Sequence, residues 1–558
     1  MSDFDVIVVG SGISGGWAAK ELTEKGLKVA LVERGRIIEH QTGYTNEFKT
    51  PWEMPYRGYG DQKLLDAQYP IQQGRHFNEF TLDHFVNDRD NPYETTGPVA
   101  FQWRRGYQLG GRSLTWGRHC YRRGDLDFEA NLKDGHGVDW PIRYKDLAPW
   151  YDHVEDFNGV SGTKEGIFGL PDGNFIPPFP MNPVEVEFKA RVESRYRDRK
   201  VIMGRVAHLT EPRPGRGLCQ SRDICPRGCS FGAYFSTQSS TLPAARATGN
   251  LTLITDAIVE TVDYDPAKRR VTGVSILDAG DGTRRKLTAR VVFLNASTIN
   301  TVAILLRSAS ESFPDGLANS SGTVGRYLMD HAGALLVAAR IKGFDGHTTF
   351  GNRPNSLIIP RFANIGAPIE GAVRGYSYQG GSLRRAWSRG GKEPGFGKDF
   401  KNGLKGPGEW VLVLGAFAEC LPRAENRITL ADSKVDKYGL KQVRIDFNFS
   451  ANERTLIRHA HQEALRMVGL MDAEIMMSTD QLGAPGGSVH EMGGARMGRD
   501  PRTSVLNGFN QSHDVANLFI TDGAAMGSTG TVNPSLTYMA LTARAANHAV
   551  ELMRTHVI

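Results

Sequence analysis

The stretch FDVIVVGSGISG, residues 4–15, decides how this chain begins to fold. Its first half is apolar and β-rich, and it predicts a strand over Phe4–Val9. Gly10, Gly12 and Gly15 then follow in a G-x-G-x-x-G pattern. In this pattern the first glycine makes a tight turn, the second lets a pyrophosphate approach the backbone, and the third allows a helix to pack closely on the strand. The stretch therefore predicts a dinucleotide-binding turn.

The residues that follow complete a βαβ unit. We expect a helix over Trp17–Lys25, ended by Gly26, and a second strand over Lys28–Glu33. The N-terminus of that helix supplies N–H donors and a positive dipole for the phosphates. Glu33 ends the second strand, where an acidic residue can bind ribose hydroxyls. The motif does not separate FAD from NAD.

Size and composition are those of a globular protein with more than one domain. The chain has 558 residues, of which 40% are hydrophobic and 23% charged, and Lys and Arg exceed Asp and Glu by six. Two interleaved domains are expected at this length. Because the charge excess is small and forms no long basic run, nucleic-acid binding is disfavoured. The first residues lack the features of a signal peptide, and no apolar stretch is long enough to cross a bilayer.

A second glycine turn, GGRSLTW, occupies residues 110–116. It resembles the G-G-x-S-x-x-W segment of glucose–methanol–choline (GMC) oxidoreductases, which lies along the flavin. Some sugar oxidases of that family attach FAD through a His at the position of Thr115, so the Thr in this chain implies non-covalent FAD. Residues 140–147, 295–297 and 325–331 resemble further family segments. The resemblance assigns cofactor binding to Gly110, Gly111, Ser113 and Trp116.

The C-terminal part carries residues suited to alcohol oxidation. His490 and Asn533 resemble the GMC catalytic pair in surroundings, order and separation. A neutral imidazole can accept the hydroxyl proton while hydride leaves the carbon, and an amide can orient the hydroxyl. Asn533 also has a simpler interpretation as the cap of the last helix, because Pro534 suits a first helical position. The resemblance places Asp522, Pro534 and Ser535 at the cofactor.

A cluster of cysteines is the most distinctive feature of the sequence. Cys219, Cys225 and Cys229 are spaced C-x5-C-x3-C, and GMC dehydrogenases that pass electrons to a cytochrome carry a similar segment. Three thiolates can hold an iron–sulfur cluster of the 3Fe–4S kind. Two alternatives stay open: redox-inert thiols, or zinc with a fourth ligand such as His208 or Cys120.

Together these features predict an α/β fold, in which a Rossmann-type FAD-binding domain carries an inserted, mainly antiparallel substrate-binding domain. We place the FAD-binding domain in residues 1–175, 205–330 and 466–558, with the cysteine cluster in the second part and the catalytic pair in the third. The substrate-binding domain is placed in residues 331–465.

The resemblance is strongest to the pyranose-oxidising branch, which includes catalytic subunits of glucoside 3-dehydrogenases. It implies that a secondary sugar hydroxyl, C3 of glucose or of a glucoside, is oxidised to a keto-sugar, with electrons passed to an external acceptor. The partners implied are a small signal-bearing subunit and cytochrome c, so the chain is expected in the cytoplasm, or in the periplasm if exported with that subunit. The alternatives are an oxygen-using glycoside 3-oxidase or pyranose oxidase, a choline or sterol oxidase, an NAD-dependent dehydrogenase, and a non-redox flavin-binding protein.

Overall fold

The computed structural model describes residues 2–74, 76–391 and 393–558. The strands, in chain order, are β1 (Phe4–Val9), β2 (Val29–Val32), β3 (Glu94–Thr95), β4 (Ile202–Met203), β5 (Leu251–Ile254), β6 (Ala257–Asp265), β7 (Arg270–Asp278), β8 (Arg284–Leu294), β9 (Ala332–Ile341), β10 (Leu357–Ile359), β11 (Tyr376–Arg384), β12 (Trp410–Ala418), β13 (Arg427–Val435), β14 (Lys441–Asp446), β15 (Ala473–Ser478) and β16 (Leu518–Phe519).

The α-helices, again in chain order, are α1 (Ile13–Glu24), α2 (Gln62–Gln68), α3 (Asp125–Phe128), α4 (Ala130–Asp134), α5 (Tyr144–Asn158), α6 (Pro183–Arg195), α7 (Leu242–Ala247), α8 (Thr298–Arg307), α9 (Gly397–Gly403), α10 (Ala451–Val468) and α11 (Ser535–Arg554). None of them, in the part of the chain that the structure describes, has both the length and the apolar character needed to cross a membrane.

A seven-stranded sheet organises the first of the two large layers. Its strand order is β5-β2-β1-β8-β7-β6, with β16 beside β8. Strands β5, β2, β1, β8 and β16 run parallel to one another. Strand β7 pairs antiparallel with both β8 and β6. Val9 pairs with both Val32 and Leu294, so β1, β2 and β8 end in one row. The loops after these three strands therefore meet at the carboxyl edge, where doubly wound α/β folds bind ligands.

A six-stranded sheet forms the second layer. Its order is β15-β9-β12-β11-β10-β4, and every pair in it is antiparallel. Helix α10 packs on β9 and β12, while α1 of the first layer packs against α11. Two of the strands, β4 and β15, lie outside the range 331–465 predicted for the substrate-binding domain. The division of the chain into domains stays a proposal.

The fold class predicted from the sequence is confirmed, since a mainly parallel sheet is joined to an antiparallel one. The opening βαβ unit is also confirmed, and β1 has the predicted bounds. Helix α1 begins at Ile13, four residues before the predicted Trp17. It begins there because Gly12 is already its N-cap, which leaves the first N–H groups of the helix next to the glycine turn.

Candidate active site

A cavity of 2160 Å³ is lined by residues from both large sheets. Residues 9–14, Glu33 and residues 111–113 line one part of it, and His490 and Asn533 line another. The glycine turns predicted to hold a dinucleotide and the pair predicted to do the chemistry thus share one space.

Two glycines of the first turn serve different purposes. A Cβ at Gly15 would overlap the carbonyl oxygen of Gly10, so Gly15 is needed for the packing of α1 on the turn. A Cβ at Gly12 would meet no protein atom within 4 Å, although Gly12 borders the cavity. The protein itself therefore does not require glycine at position 12. A ligand that approaches the backbone there does, as the motif predicts for a pyrophosphate.

Ser11 joins the two glycine turns. Its hydroxyl donates to Glu33 Oε2 at 2.6 Å and accepts the N–H of Gly110 at 2.8 Å. The N–H groups of Ser11 and Gly35 also donate to the Glu33 carboxylate, at 3.1 and 2.9 Å. Burial raises the pKa of Glu33. Glu33 thus lies at the predicted place, buried beside the cavity and fixed by three donors.

The second glycine turn faces the first. A Cβ at Gly111 would lie 3.7 Å from the Cα of Gly12. Ser113 Oγ accepts the N–H of Thr237 at 3.1 Å, and Trp116 Nε1 donates to the carbonyl of Phe235 at 3.0 Å. Both side chains border the cavity.

Asp522, Pro534 and Ser535 also line the cavity. Asp522 accepts the hydroxyl of Thr301 at 2.6 Å and the N–H of Ala524 at 2.9 Å, and burial raises its pKa to about 6. Pro534 and Ser535 form the start of the 20-residue helix α11. Its positive end therefore lies at the cavity, where it favours a negatively charged group.

The residues that line the cavity fit FAD. An open glycine backbone, two helix N-termini, a buried carboxylate beside them and a long cavity suit a flavin dinucleotide.

His490 and Asn533 are in contact. Asn533 Nδ2 lies 3.1 Å from His490 Nε2. Asn533 does not cap α11, because the N-cap residue is Pro534 and no side chain bonds to that end. Instead its carbonyl oxygen accepts a hydrogen bond from Gln379 Nε2. Gln379 thereby fixes which way the Asn533 amide points.

The loop before His490 is held in a costly conformation. Val489 has φ of +56°, which is unfavourable for a β-branched residue. The buried Asp330 carboxylate accepts the N–H groups of Ser488 and His490, at 3.3 and 3.0 Å, and holds the loop in place. Burial raises the pKa of Asp330 to about 7.

His331 determines which nitrogen of His490 carries the proton. His331 Nε2 lies 2.9 Å from the carbonyl of Gly530, and His331 Nδ1 lies 3.0 Å from His490 Nδ1. A carbonyl only accepts, so His331 Nε2 is the protonated nitrogen and, in a neutral ring, His331 Nδ1 is an acceptor. His490 Nδ1 must then donate to it, which leaves a lone pair on His490 Nε2, the nitrogen that faces Asn533. The arrangement can accept a proton at His490 Nε2.

Both imidazoles are held neutral. Burial, with the charge of Arg123, lowers the pKa of His331 to about 3. Burial also lowers the pKa of His490 well below its usual range. Arg123 is itself buried, and its guanidinium donates to the carbonyls of Ser528 and Thr529 in the turn that presents Gly530.

Sequence reasoning did not identify His331, Gln379 or Arg123 as site residues. His331 closes the segment 325–331 that carries a family resemblance, and this was a usable signal. Gln379 is one polar residue in a strand, and Arg123 is one arginine among many. Their positions follow only from the way distant segments meet.

The cysteine segment does not match the metal site predicted for it. Among the residues that the structure describes, no three His, Cys, Asp or Glu side chains are arranged to hold a metal ion. Cys225 Sγ lies 3.6 Å from His208 Nε2, and burial raises the pKa of Cys219 to about 11. Cys120 is fully buried, and Cys229 is a free thiol. The described residues therefore lend no support to the iron–sulfur or the zinc interpretation, and the role of the three thiols stays a prediction.

Comparisons with known proteins agree with the fold. Two family models described as GMC oxidoreductase match the chain, one over residues 7–333 and the other over residues 422–542. The 2-methyl-1,2-propanediol dehydrogenase of Mycolicibacterium austroafricanum is 29% identical, with 98% of this chain and 94% of that protein covered. The fructose dehydrogenase large subunit of Gluconobacter japonicus is 26% identical, with 97% of each covered. The crystal structure of pyridoxine 4-oxidase from Mesorbium loti is similar in fold, with a TM-score of 0.62, 17% identity, and 98% of this chain and 99% of that chain covered.

Proposed function

The chain belongs to the GMC oxidoreductase family, and we propose that it is an FAD-dependent dehydrogenase that oxidises a secondary hydroxyl of a sugar to a ketone. The substrate we propose is glucose or a glucoside, and the position is C3. The observation that carries the proposal is the contact of His490 with Asn533 in the same cavity as two glycine turns. A neutral imidazole in a cavity that suits a flavin supports this proposal.

The cofactor we propose is FAD, bound without a covalent link. Gly10 and Gly12 would admit its pyrophosphate, with Gly15 letting α1 pack close to the turn, and Glu33 would bind its ribose. The second turn, Asp522 and the start of α11 would lie along the rest of it. Thr115 has no nucleophilic nitrogen for a bond to the flavin. When bound, FAD supplies the two-electron acceptor that takes a hydride from the substrate carbon.

His490 would accept the hydroxyl proton at Nε2. Its neutral ring, its proton on Nδ1 and its contact with Asn533 all suit that role. In the free site the lone pair of Nε2 faces Asn533 Nδ2, so an incoming hydroxyl would take over this contact. Asn533, held by Gln379, would orient the hydroxyl toward the lone pair.

A polar substrate suits this part of the cavity. Gln379, Asn355 and His119 line it along with His490 and Asn533. Amide and imidazole groups can donate to and accept from several hydroxyls of one sugar. The similarity to a fructose dehydrogenase large subunit supports a sugar, whereas the relative at 29% identity is named for a small diol.

The electron acceptor we propose is an external carrier such as cytochrome c, reached through a partner subunit. Support comes from the relative named as a large subunit, which implies an assembly for that protein. The cysteine segment has no part in this proposal. An oxygen-using glycoside 3-oxidase is the second candidate, because the C-glycoside 3-oxidase of Microbacterium trichothecenolyticum is 26% identical over 55% of this chain.

The test is an anaerobic titration of the purified protein with glucose and with methyl glucoside. We expect the flavin absorbance to bleach, and the product to be the 3-keto-sugar by NMR. His490→Ala should keep its flavin and lose about 10²- to 10⁴-fold in the rate of bleaching. His461→Ala, at an exposed site outside the cavity, is the matched control and should bleach at the wild-type rate.

Two outcomes would refute the proposal: no bleaching by any sugar, or bleaching in His490→Ala at the wild-type rate. Oxygen consumption as fast as dye reduction would favour the oxidase over the dehydrogenase.

A further inference from the structure

The six-stranded sheet changes character along its cavity face. Side chains two apart on a strand share a face, and Ser377, Gln379 and Leu383 on β11 follow this spacing. Ser377 donates to the carbonyl of Thr531, and Gln379 donates to Asn533, so this face looks toward the catalytic pair. Leu383 borders the same cavity further out. Polar side chains therefore lie nearest the pair and an apolar one lies beyond them.

Leu335 on β9 extends the apolar part sideways. In the register of the sheet Gln379 pairs with Gly415, and Gly415 pairs with Leu335. Leu335 therefore lies two strands from Gln379, roughly 10 Å away, and Leu383 lies four residues along, roughly 13 Å away. A hydroxyl held by the catalytic pair is thus within one sugar ring and its substituent of either leucine, and the two leucines lie roughly 16 Å from each other.

Both leucines are left unburied by the protein. Leu335 is 53% exposed and Leu383 is 54% exposed, although both line the cavity. Tyr59, on a different segment, lines the same cavity and is 62% exposed. Apolar side chains gathered at the rim of a binding cavity, with polar residues around them, are typical of a ligand-binding surface.

The charged residues nearby do not select an anionic substituent. Arg384 donates to the carbonyls of Asp345, His347 and Gly408. Arg385 pairs with Glu393 and Glu409, and Arg353 pairs with Glu185. The hydrogen bonds of these cations are already made within the protein. The exposed leucines add apolar surface beside these paired cations.

We propose that Leu335 and Leu383 form a subsite for a neutral, apolar aglycone, so that the preferred substrate is an alkyl or aryl glycoside rather than a free sugar. This inference rests on the proposed oxidation of a sugar hydroxyl. The sugar ring would lie against the polar part of the sheet near Gln379, and the aglycone would cover one of the two exposed leucines, according to which way the ring is turned.

The test compares methyl and phenyl glucosides of one anomeric configuration, with the full-length, FAD-loaded protein and a dye as acceptor. We expect kcat/KM to be at least about tenfold higher for the phenyl glucoside, mainly through KM. In Leu335→Ser/Leu383→Ser this preference should fall to about twofold or less, mainly through a higher KM for the phenyl glucoside. Leu335→Met/Leu383→Met should keep the preference, because it keeps an apolar surface.

Leu132→Ser, an exposed leucine outside the cavity, is the surface control and should leave the preference unchanged. Equal kcat/KM for the two glucosides in wild type, or the same preference in the double Ser variant, would overturn the subsite and leave the sugar oxidation standing. No turnover of either glucoside or of glucose would overturn both.

Discussion

The two large sheets of this protein contribute to the site in different ways. The seven-stranded sheet contributes backbone: glycine turns, helix N-termini and the ends of parallel strands. The six-stranded sheet and the loops beside it contribute side chains that meet across long stretches of chain. His331 and His490 are 159 residues apart, and Gln379 and Asn533 are 154 apart. Backbone geometry is encoded in short motifs, whereas hydrogen bonds between side chains from distant segments are not.

The sharpest contrast is expected between two glycines of the first turn. Gly15→Ala should destabilise the protein by roughly 3 kcal/mol, because the new Cβ overlaps the Gly10 carbonyl oxygen. Gly12→Ala should leave the melting temperature of the apoprotein unchanged and lower the bound flavin at least about tenfold, because the Cβ projects only into the cavity. Thermal melting of the apoproteins and the flavin-to-protein absorbance ratio measure the two effects. If Gly12→Ala also loses stability without flavin, position 12 serves packing, and the distinction between the two glycines fails.

The next effect tests the hydrogen bond between His331 and His490. His331→Phe should lower kcat by on the order of 100-fold with little change in KM, because His490 loses the acceptor that keeps its proton on Nδ1. His331→Gln should recover much of the loss, since an amide can donate to Gly530 and accept from His490 at once. Steady-state kinetics and the ¹⁵N shifts of His490 report the rate and the tautomer. Equal rates in the Phe and Gln variants would mean that His331 only fills space.

A smaller effect is expected at Gln379. Gln379→Leu removes the donor that fixes the Asn533 amide and should lower kcat/KM for methyl glucoside roughly fivefold to tenfold, the value of one hydrogen bond. Gln379→Glu keeps the size but offers only acceptors when ionised, so it should be at least as slow. Flavin content should be unchanged in both. A wild-type rate in Gln379→Leu would show that Asn533 is oriented by other contacts.

The smallest effect appears in stability against pH. His331 stays neutral in the folded protein, while in the unfolded chain it takes a proton near pH 6.5. The unfolded state therefore binds more protons below pH 6.5, and this residue makes the folded protein less stable as the pH falls. Between pH 6.5 and 5.5 the wild type should lose about 1 kcal/mol of unfolding free energy relative to His331→Phe. Denaturant titrations of both proteins at several pH values measure it, and parallel curves would contradict the neutral assignment.

Much of the first layer could be predicted from the sequence. The opening strand, the glycine turns and the order of strand and helix follow from local spacing and from residues with special backbone freedom. The cavity location of Glu33 was anticipated from the glycine motif, and that of Asp522 and the His490–Asn533 pair through family resemblance. The structure shows that Asn533 bonds to Gln379 rather than capping α11.

The rest could not be read from the sequence because it depends on contacts between distant segments. The cysteines illustrate this, since their spacing suggested a cluster but the fold directs Cys225 toward His208. Leu335 and Leu383 show the same limit, because alternation along a strand predicts which residues share a face but not what that face meets.

The hydrogen bonds from His490 through His331 to the Gly530 carbonyl affect how the site tolerates mutation. The group that assigns the proton is a peptide carbonyl, which every amino acid possesses, so no single substitution at position 530 can delete it. What a substitution there can change is the path of the main chain, because Gly530 has φ of +61°. The hydrogen-bond acceptor for His331 therefore depends on the backbone conformation of one turn and not on a side chain. Related proteins with different side chains there can keep this acceptor if the turn keeps its conformation.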